Sequence, residues 1–220
     1  MKQAKTIVFV AFGDSLTLGY QSPTEDDQWP EPAPYTDFLE RKTEKMLGRR
    51  GAVGISVKFL NKGIVGELTN EMVGRFGGDV LGPQPDAVII LGGSNDLGWG
   101  HEPEHVASNL ARMYDEALGH GIRPVACTVP SVLGFDEGIK PRLRLNGLIK
   151  RLSAEASSIC VDLFAATADA AGRLREEYSN DGLHLNASGY GAMAESIFSD
   201  AVSRIISGYR GDSLRNGPEA

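Results

Sequence analysis

The stretch Thr6-Ile-Val-Phe-Val-Ala-Phe12 runs directly into Gly13-Asp14-Ser15-Leu16, and this junction decides the fold. An uninterrupted run of mainly β-branched and aromatic residues, ended by a glycine, is typical of a buried strand. Ser15 therefore follows the carboxyl end of the predicted strand. In open α/β sheets this is the edge at which ligands bind.

Predicted strands and helices alternate along the rest of the chain. Further strands are expected over residues 54–60, 86–91, 123–129 and 158–163. Helices are expected over residues 35–47, 67–76, 105–118, 140–156, 165–177 and 188–206. Such alternation predicts a parallel sheet with right-handed crossovers and helices on both faces. The predicted fold class is α/β, a three-layer α/β/α sandwich in one domain over residues 1–207, with a polar, frayed tail over residues 208–220.

Composition and charge exclude several classes of partner. The 220 residues include 29 acidic and 22 basic side chains, and the formal net charge is −7. This charge argues against a nucleic-acid backbone or an anionic membrane as the main partner. No apolar run approaches the roughly 20 residues needed for a membrane span. The start of the chain resembles a signal peptide but lacks a cleavage site and contains the first strand, so we expect a cytoplasmic location.

Small and polar residues follow several of the predicted strands. Gly66 and Asn95 lie in the loops after the second and third strands, and Asp181 and His184 lie in the segment after the fifth. Parallel strands bring their carboxyl ends to one edge of the sheet. We therefore expect these residues to converge on Ser15.

These residue types suggest acyl-transfer chemistry. A serine hydroxyl becomes a good nucleophile when a neighbouring imidazole takes its proton, and histidine is suited to that role near pH 7. Asp181 precedes His184 by one turn, so its carboxylate can bond Nδ1 and leave Nε2 for Ser15. The backbone N–H groups of Ser15 and Gly66 and the Asn95 amide are candidate donors to the oxyanion of the tetrahedral intermediate.

Four blocks of the sequence resemble the SGNH hydrolases, also called the GDSL esterase/lipase family. The blocks are Gly13-Asp14-Ser15-Leu16, residues 61–69, Gly93-Ser94-Asn95-Asp96 and Asp181-Gly-Leu-His184. They occur in the order of the family, and the resemblance covers about residues 5–206. It implies a flavodoxin-like sheet of five parallel strands and a hydrolase of acyl esters or thioesters that needs no cofactor or metal.

The second block is the loosest match. Glu67-Leu68 follows Gly66 where Asp-Thr is common in the family, and Gly63 is the alternative oxyanion glycine. In the first block, we expect Asp14 to order the loop under Ser15 without carrying a proton in the reaction.

One motif points to different chemistry. His101-Glu102-Pro103-Glu104-His105 matches the H-E-x-x-H signature of zinc peptidases, which requires both histidines on one helix. Proline is favoured only in the first turn of a helix, so we expect the helix to begin near Pro103 and to leave His101 outside it. No metal is therefore expected.

Cys127 and Cys160 lie in apolar segments and are expected to be buried free thiols.

The leading hypothesis is a serine esterase that acts on a small-molecule ester, with a short acyl chain, through an acyl-enzyme on Ser15. Acyl transfer to an alcohol, thioester hydrolysis and O-acetyl-sugar hydrolysis would use the same mechanism. A zinc peptidase and a non-catalytic binding module are the alternatives from other classes. Trp29, Trp99 and Leu133, in loops after the first, third and fourth strands, are expected to line the acyl pocket. The leaving group and the oligomeric state are left open.

Overall fold

A computed structural model describes residues 5–49 and 54–215 of the chain. In these ranges the strands are β1 Lys5–Gly13, β2 Ile55–Gly63, β3 Ala87–Leu91, β4 Arg123–Cys127 and β5 Ile159–Val161. They form one sheet, parallel throughout, in the order β2-β1-β3-β4-β5. All of the predicted strands are confirmed, although β2 extends further than expected and β4 and β5 are shorter.

Helices flank this sheet. They are α1 Ser15–Leu18, α2 Tyr35–Arg49, α3 Thr69–Phe76, α4 Ser94–Gly98, α5 Pro103–Gly119, α6 Ile139–Glu155, α7 Leu163–Thr167, α8 Ala187–Ile197 and α9 Ser203–Arg215. The helix α5 packs between α3 and α6, whereas α2 packs against α8. The predicted α/β/α sandwich is confirmed. None of the helices in the described ranges is both long and apolar enough to cross a lipid bilayer.

The core lies around the middle strands. Every residue of β3 is fully buried, as its continuous apolar run predicts. Aromatic pairs fill the space on either side of β1: Phe9 stacks on Phe59 with ring centroids 5.1 Å apart, and Phe12 meets Phe76 edge to face at 5.4 Å. Full burial of one such side chain stabilises the fold by about 1.5–3 kcal/mol. This packing holds β1 in place between β2 and β3.

The helix predicted over residues 165–177 is wrong beyond α7, which ends at Thr167. The carboxylate of Asp169 accepts the backbone N–H groups of Ala171 and Arg173 at 2.8 and 2.9 Å. Short side chains that bond nearby backbone in this way compete with the helix and favour a turn. The chain therefore turns here instead of continuing as a helix.

The closing helix is longer than predicted. A π-helical turn over Phe198–Val202 joins α8 to α9, and α9 continues to Arg215, past the predicted start of the tail at residue 208. Residues 216–220 lie outside the described residues.

The two cysteines are free thiols in neighbouring strands: Cys127 is buried, and Cys160 on the edge strand is half-buried.

The junction between β1 and α1 is tightly packed. A Cβ atom on Gly13 would lie 2.0 Å from the carbonyl oxygen of Leu91 and 2.5 Å from Oγ1 of Thr17, so only glycine fits there. The next residue, Asp14, caps α1, because its Oδ1 accepts the N–H of Leu16 at 2.9 Å. Capping fixes the direction in which the chain leaves the strand.

The Asp14 side chain is only 1% exposed, and its Oδ2 has no hydrogen-bond partner. Burial raises the pKa of Asp14 to about 7, against the hydrogen bond from Leu16, and the nearby carboxylates of Asp96 and Glu67 raise it further. The charged form of this carboxyl is therefore disfavoured in the folded protein.

This raised pKa predicts a pH-dependent stability. Asp14 binds its proton more tightly in the folded chain than in the unfolded chain, so its contribution to the free energy of unfolding falls as the pH rises from about 4 to about 7. The slope is at most about 1.4 kcal/mol per pH unit. Asp14→Asn keeps a capping oxygen but does not titrate. We expect its stability relative to wild type to rise across this range in urea unfolding.

The matched control is Asp26→Asn, which removes one negative charge from an exposed side chain. A stability difference between D14N and wild type that stays constant from about pH 4 to about pH 8 would contradict the prediction.

Candidate active site

Ser15 is the first residue of α1 and is almost buried at the carboxyl end of β1. Its carbonyl oxygen accepts the N–H groups of Gly19 and Tyr20, both at 3.0 Å. These bonds end the short helix α1 at Gly19, its C-terminal cap. Ser15 is thus held on the edge of the sheet by its own backbone.

Asp181 and His184 form a hydrogen-bonded pair. The carboxylate Oδ2 lies 2.8 Å from Nδ1 of the imidazole. The other oxygen, Oδ1, accepts the backbone N–H groups of Leu183 and His184 at 2.8 and 2.7 Å, which fixes the turn between the two side chains. With Nδ1 as the donor to this carboxylate, Nε2 of the neutral ring is a free acceptor.

Asp181 is an ionised carboxylate at neutral pH. Partial burial acts to raise its pKa, but hydrogen bonds from the hydroxyl of Ser22, from the imidazole and N–H of His184 and from the N–H of Leu183 outweigh burial and lower the pKa to about 2. A negative charge beside the imidazole stabilises the imidazolium that forms when the ring accepts a proton.

Residues 20–22 connect Ser15 to this pair. The Tyr20 ring, whose backbone N–H binds Ser15, packs edge to face on the His184 ring with centroids 4.7 Å apart. The hydroxyl of Ser22 donates to Asp181 Oδ2. In the described ranges, no hydrogen bond joins the Ser15 hydroxyl to His184. Catalytic hydrogen bonds are often loose before substrate binds, so this geometry is compatible with a nucleophile and its base.

In the described part of the chain, three of the predicted oxyanion donors remain unused by other hydrogen bonds. Asn95 Nδ2 donates one N–H to the carbonyl of Glu67 at 2.9 Å and keeps the other free. The backbone N–H groups of Ser15 and Gly66 have no acceptor among the described residues. Gly66 has φ +76°, a conformation that favours glycine. These groups are suited to bind an oxyanion.

Gly63, the alternative oxyanion glycine, is placed differently. Its N–H donates to Asn61 Oδ1 at 2.9 Å. A Cβ there would lie 2.2 Å from the backbone nitrogen of Leu18, so the residue is packed behind α1. The donor of Gly63 is already in use, whereas that of Gly66 is not.

Arg75 holds the loop that carries Gly66. Its guanidinium donates to the carbonyls of Gly13 and Lys62 at 3.1 and 2.9 Å, to the buried carboxylate of Glu67 and to Asp79. Glu67 is one of the two residues, with Leu68, at which this chain departs from the usual second block. Its ion pair with Arg75 ties the loop to the ends of β1 and β2.

A second buried network ties the third block to α3. The Asp96 carboxylate accepts the N–H of Thr69 at 3.0 Å and its hydroxyl at 2.6 Å, and Asn109 donates to the same hydroxyl at 3.0 Å. Asp96 follows Asn95 directly, so this network limits the movement of the amide that faces the site.

A cavity of about 380 Å³ opens beside Asn95 and Asp181, and its lining does not include Ser15, Gly66 or His184. Its lining includes Asn95, Asp181, Trp99, Leu133, Phe135 and Arg142. Trp99 and Leu133 lie where the sequence predicts pocket residues, but Trp29 is not part of this lining. The Trp29 side chain is 91% exposed, on a turn in which the backbone N–H of Trp29 donates to Asp27 Oδ1.

The H-E-x-x-H motif does not form a metal site in the described residues. Helix α5 begins at Pro103, as predicted, so His101 precedes the helix. The rings of His101 and His105 lie 6.2 Å apart, edge to face. Among the residues that the structure describes, no group of three histidine, cysteine or acidic side chains is arranged to hold a metal ion.

Sequence reasoning missed several residues that build the site: Tyr20, Ser22, Arg75 and Arg142. Tyr20 and Ser22 follow the block Gly13-Asp14-Ser15-Leu16 closely in the sequence. This nearness to Ser15 was the only feature of the sequence that could have pointed to them. Arg75 and Arg142 lie within predicted helices, where charged residues usually face water. Only the packed structure shows that Arg142 is buried and that Arg75 reaches the strand ends.

Two curated proteins are similar to part of this chain. The uncharacterized lipoprotein YqeF of Bacillus subtilis is 31% identical over 132 residues, which are 57% of this chain and 49% of YqeF. An arylesterase of Vibrio mimicus is 33% identical over 104 residues, 47% of this chain and 45% of the arylesterase. The chain therefore spans about half the length of these curated relatives.

Comparison with solved structures and with family models shows the fold and the family to which the chain is similar. The lipase/acylhydrolase from Enterococcus faecalis has a similar fold, with a TM-score of 0.68, 24% identity and coverage of 90% of this chain and 96% of that one. The model of the GDSL-like lipase/acylhydrolase family matches residues 11–192. Since this match takes in most of the chain, the protein belongs to the GDSL-like lipase/acylhydrolase family.

Proposed function

We propose that this protein is a serine esterase that hydrolyses carboxylic esters of short acyl chains. The observation that carries the proposal is the 2.8 Å hydrogen bond between Asp181 and His184 Nδ1, whose ring packs on Tyr20, a residue bonded through its backbone N–H to Ser15. It leaves Nε2 as the basic nitrogen. Membership of the family and the similarity to an arylesterase support ester bonds as the target.

The first half of the reaction forms an acyl-enzyme. Ser15 Oγ attacks the ester carbonyl carbon while His184 Nε2 takes the hydroxyl proton, and the carbonyl π electrons move to oxygen. The imidazolium then protonates the departing alkoxide as the bond between the carbonyl carbon and the alcohol oxygen breaks. Water, deprotonated by the same nitrogen, then attacks the carbonyl carbon of the acyl-enzyme. The bond from that carbon to Ser15 Oγ breaks, the imidazolium returns its proton to Oγ, and the acid leaves.

The oxyanion formed in each half would be bound by the unused donors near Ser15. These are the backbone N–H groups of Ser15 and Gly66 and the second N–H of Asn95. Arg75 and Asp96 position them through the loops described above. Donors fixed before the substrate arrives stabilise the transition state without reorganisation.

The size of the cavity supports a small acyl or alcohol group. Its volume of about 380 Å³ is near the lower end of the range of roughly 300–1,000 Å³ typical of small-molecule sites.

Thioester hydrolysis, removal of O-acetyl groups from sugars and acyl transfer to an alcohol need the same residues. A series of esters, thioesters and acetylated sugars of rising acyl length, assayed with and without an alcohol acceptor, separates them.

Two other expectations stay predictions. One is the domain boundary near residue 207. The other is an intracellular location, which cell fractionation with an antibody to the protein would test; the similar Bacillus subtilis protein is called a lipoprotein.

Ser15→Ala should abolish both hydrolysis of nitrophenyl acetate and labelling by a fluorophosphonate, because it removes the attacking oxygen. The far-ultraviolet circular dichroism spectrum should be unchanged. Mass spectrometry of the labelled wild-type protein should place the adduct on the peptide that contains Ser15.

Ser199→Ala, a change on the surface of the closing helix, is the control and should label like wild type. Chelator should leave wild-type activity intact. Hydrolysis that survives in S15A, or that chelator removes, would rule out Ser15 as the nucleophile.

Asn95→Ala should lower kcat by about 10²–10³-fold, because it removes a donor to the developing oxyanion. The KM should change much less than kcat, since the charge on the carbonyl oxygen develops mainly in the transition state. Steady-state kinetics with nitrophenyl acetate gives both values. The control is Ser108→Ala, which removes a polar side chain at an exposed position on α5. An effect of N95A confined to KM would argue against this role.

A further inference from the structure

Arg142 is a buried cation on α6 at the wall of the cavity that Asn95 and Asp181 also line. Its side chain is 4% exposed, and it lines the cavity together with Ser94 and Asn95. Burial lowers the pKa of the guanidinium to about 10, partly offset by the attraction of Asp14, so the group is charged at neutral pH.

Few of the hydrogen-bond donors of Arg142 are used. Nη1 donates to the carbonyl of Gly138 at 3.1 Å, and Nη2 donates to Oγ of Ser94 at 3.0 Å. The buried Nε has no partner. A guanidinium carries five N–H bonds. The remaining three therefore have no acceptor among the described residues.

No carboxylate in the described part of the chain forms an ion pair with Arg142. Arg75 provides the contrast, because its guanidinium bonds two carboxylates and two carbonyls. Burying a cation without an anionic partner is costly, and an arginine fork matches carboxylate and phosphate groups. Asp14 attracts the guanidinium but does not hydrogen-bond it, so the free N–H bonds of Arg142 are left to bind an anion from outside the protein.

The position of Arg142 indicates which molecule brings this anion. Its partner Ser94 directly precedes Asn95, the proposed oxyanion donor, so the guanidinium lies beside the place where the ester carbonyl would bind. The exposed side chains of Trp99 and Phe135 give the same cavity an apolar wall. Asp181 also lines the cavity, but its carboxylate is held by Ser22 and His184.

We propose that Arg142 binds an anionic group of the substrate, a carboxylate or a phosphate, so that this enzyme prefers acidic esters over neutral esters of the same size. The inference rests on the proposed esterase function and adds the substrate class. The anion can belong to the acyl half or to the alcohol half of the ester.

Matched ester pairs test the proposal. In the acyl arm, nitrophenyl hexanoate is compared with the nitrophenyl monoester of adipate, which has a carboxylate in place of the terminal methyl group. In the alcohol arms, phenyl acetate is compared with meta-carboxyphenyl acetate and with meta-phosphophenyl acetate. Wild type should show a higher kcat/KM for the acidic ester than for its neutral partner in at least one arm. The arm that shows this preference identifies which half of the ester carries the anion and whether the anion is a carboxylate or a phosphate.

Arg142→Met should lower kcat/KM for that acidic ester by about 10- to 100-fold more than for its neutral partner, as expected for loss of charged hydrogen bonds. Arg142→Lys keeps the charge without the fork and should lose part of the preference. Arg144→Met, on the exposed side of the same helix, is the matched control and should keep it.

Two results would overturn the proposal: no preference for the acidic ester in any arm of the wild-type comparison, or an equal loss on both members of each pair in R142M. The second result would mean that Arg142 only positions Ser94 and Asn95.

A binding measurement separates this proposal from the esterase proposal. Calorimetric titration of S15A with adipate, meta-hydroxybenzoate and phenyl phosphate needs no hydrolysis and covers both halves of the ester. Binding of at least one of these anions in S15A, lost when Arg142→Met is added, supports the anion site even if no ester is cleaved. Absence of binding by all three would overturn it, whatever the esterase assays show.

Discussion

The site depends on the close approach of three parallel strand ends. Gly13, at the end of β1, lies opposite Gly63 of β2 and Leu91 of β3, and no side chain fits at Gly13. Its carbonyl oxygen accepts both the N–H of Ile64 and the guanidinium of Arg75. The loops that follow these three strands therefore begin close together. They carry Ser15, Gly66 and Asn95, one in each loop.

The charged side chains at this edge differ in their partners. The Arg75 guanidinium is paired with carboxylates and holds the second loop, and Asp181 is stabilised as a carboxylate beside His184. Arg142 is the most buried of the three and, among the described residues, forms no ion pair with a carboxylate. Paired charges set the geometry of a site, whereas an unpaired one is free to act on a ligand. This difference separates the structural arginine from the one proposed to bind substrate.

Much of this architecture can be predicted from the sequence, because strands and sequence blocks are local patterns. The apolar run of β3 and the proline that starts α5 each specify their element directly. Contacts between distant segments cannot be found in this way: Ser22 bonds Asp181 across 159 positions, and Arg75 reaches Gly13 across 62. The turn at Asp169 was missed because its side chain competes with a helical pattern.

The central claim is that Ser15, His184 and the unused donors act on one carbonyl group. A crystal structure of the protein with a phosphonate bound covalently to Ser15 tests it most directly, since the phosphoryl oxygen mimics the oxyanion. We expect that oxygen to lie within about 2.7–3.1 Å of the Ser15 and Gly66 nitrogens and of Asn95 Nδ2. A phosphoryl oxygen turned away from these three donors, or an adduct on another residue, would show that these groups do not act together.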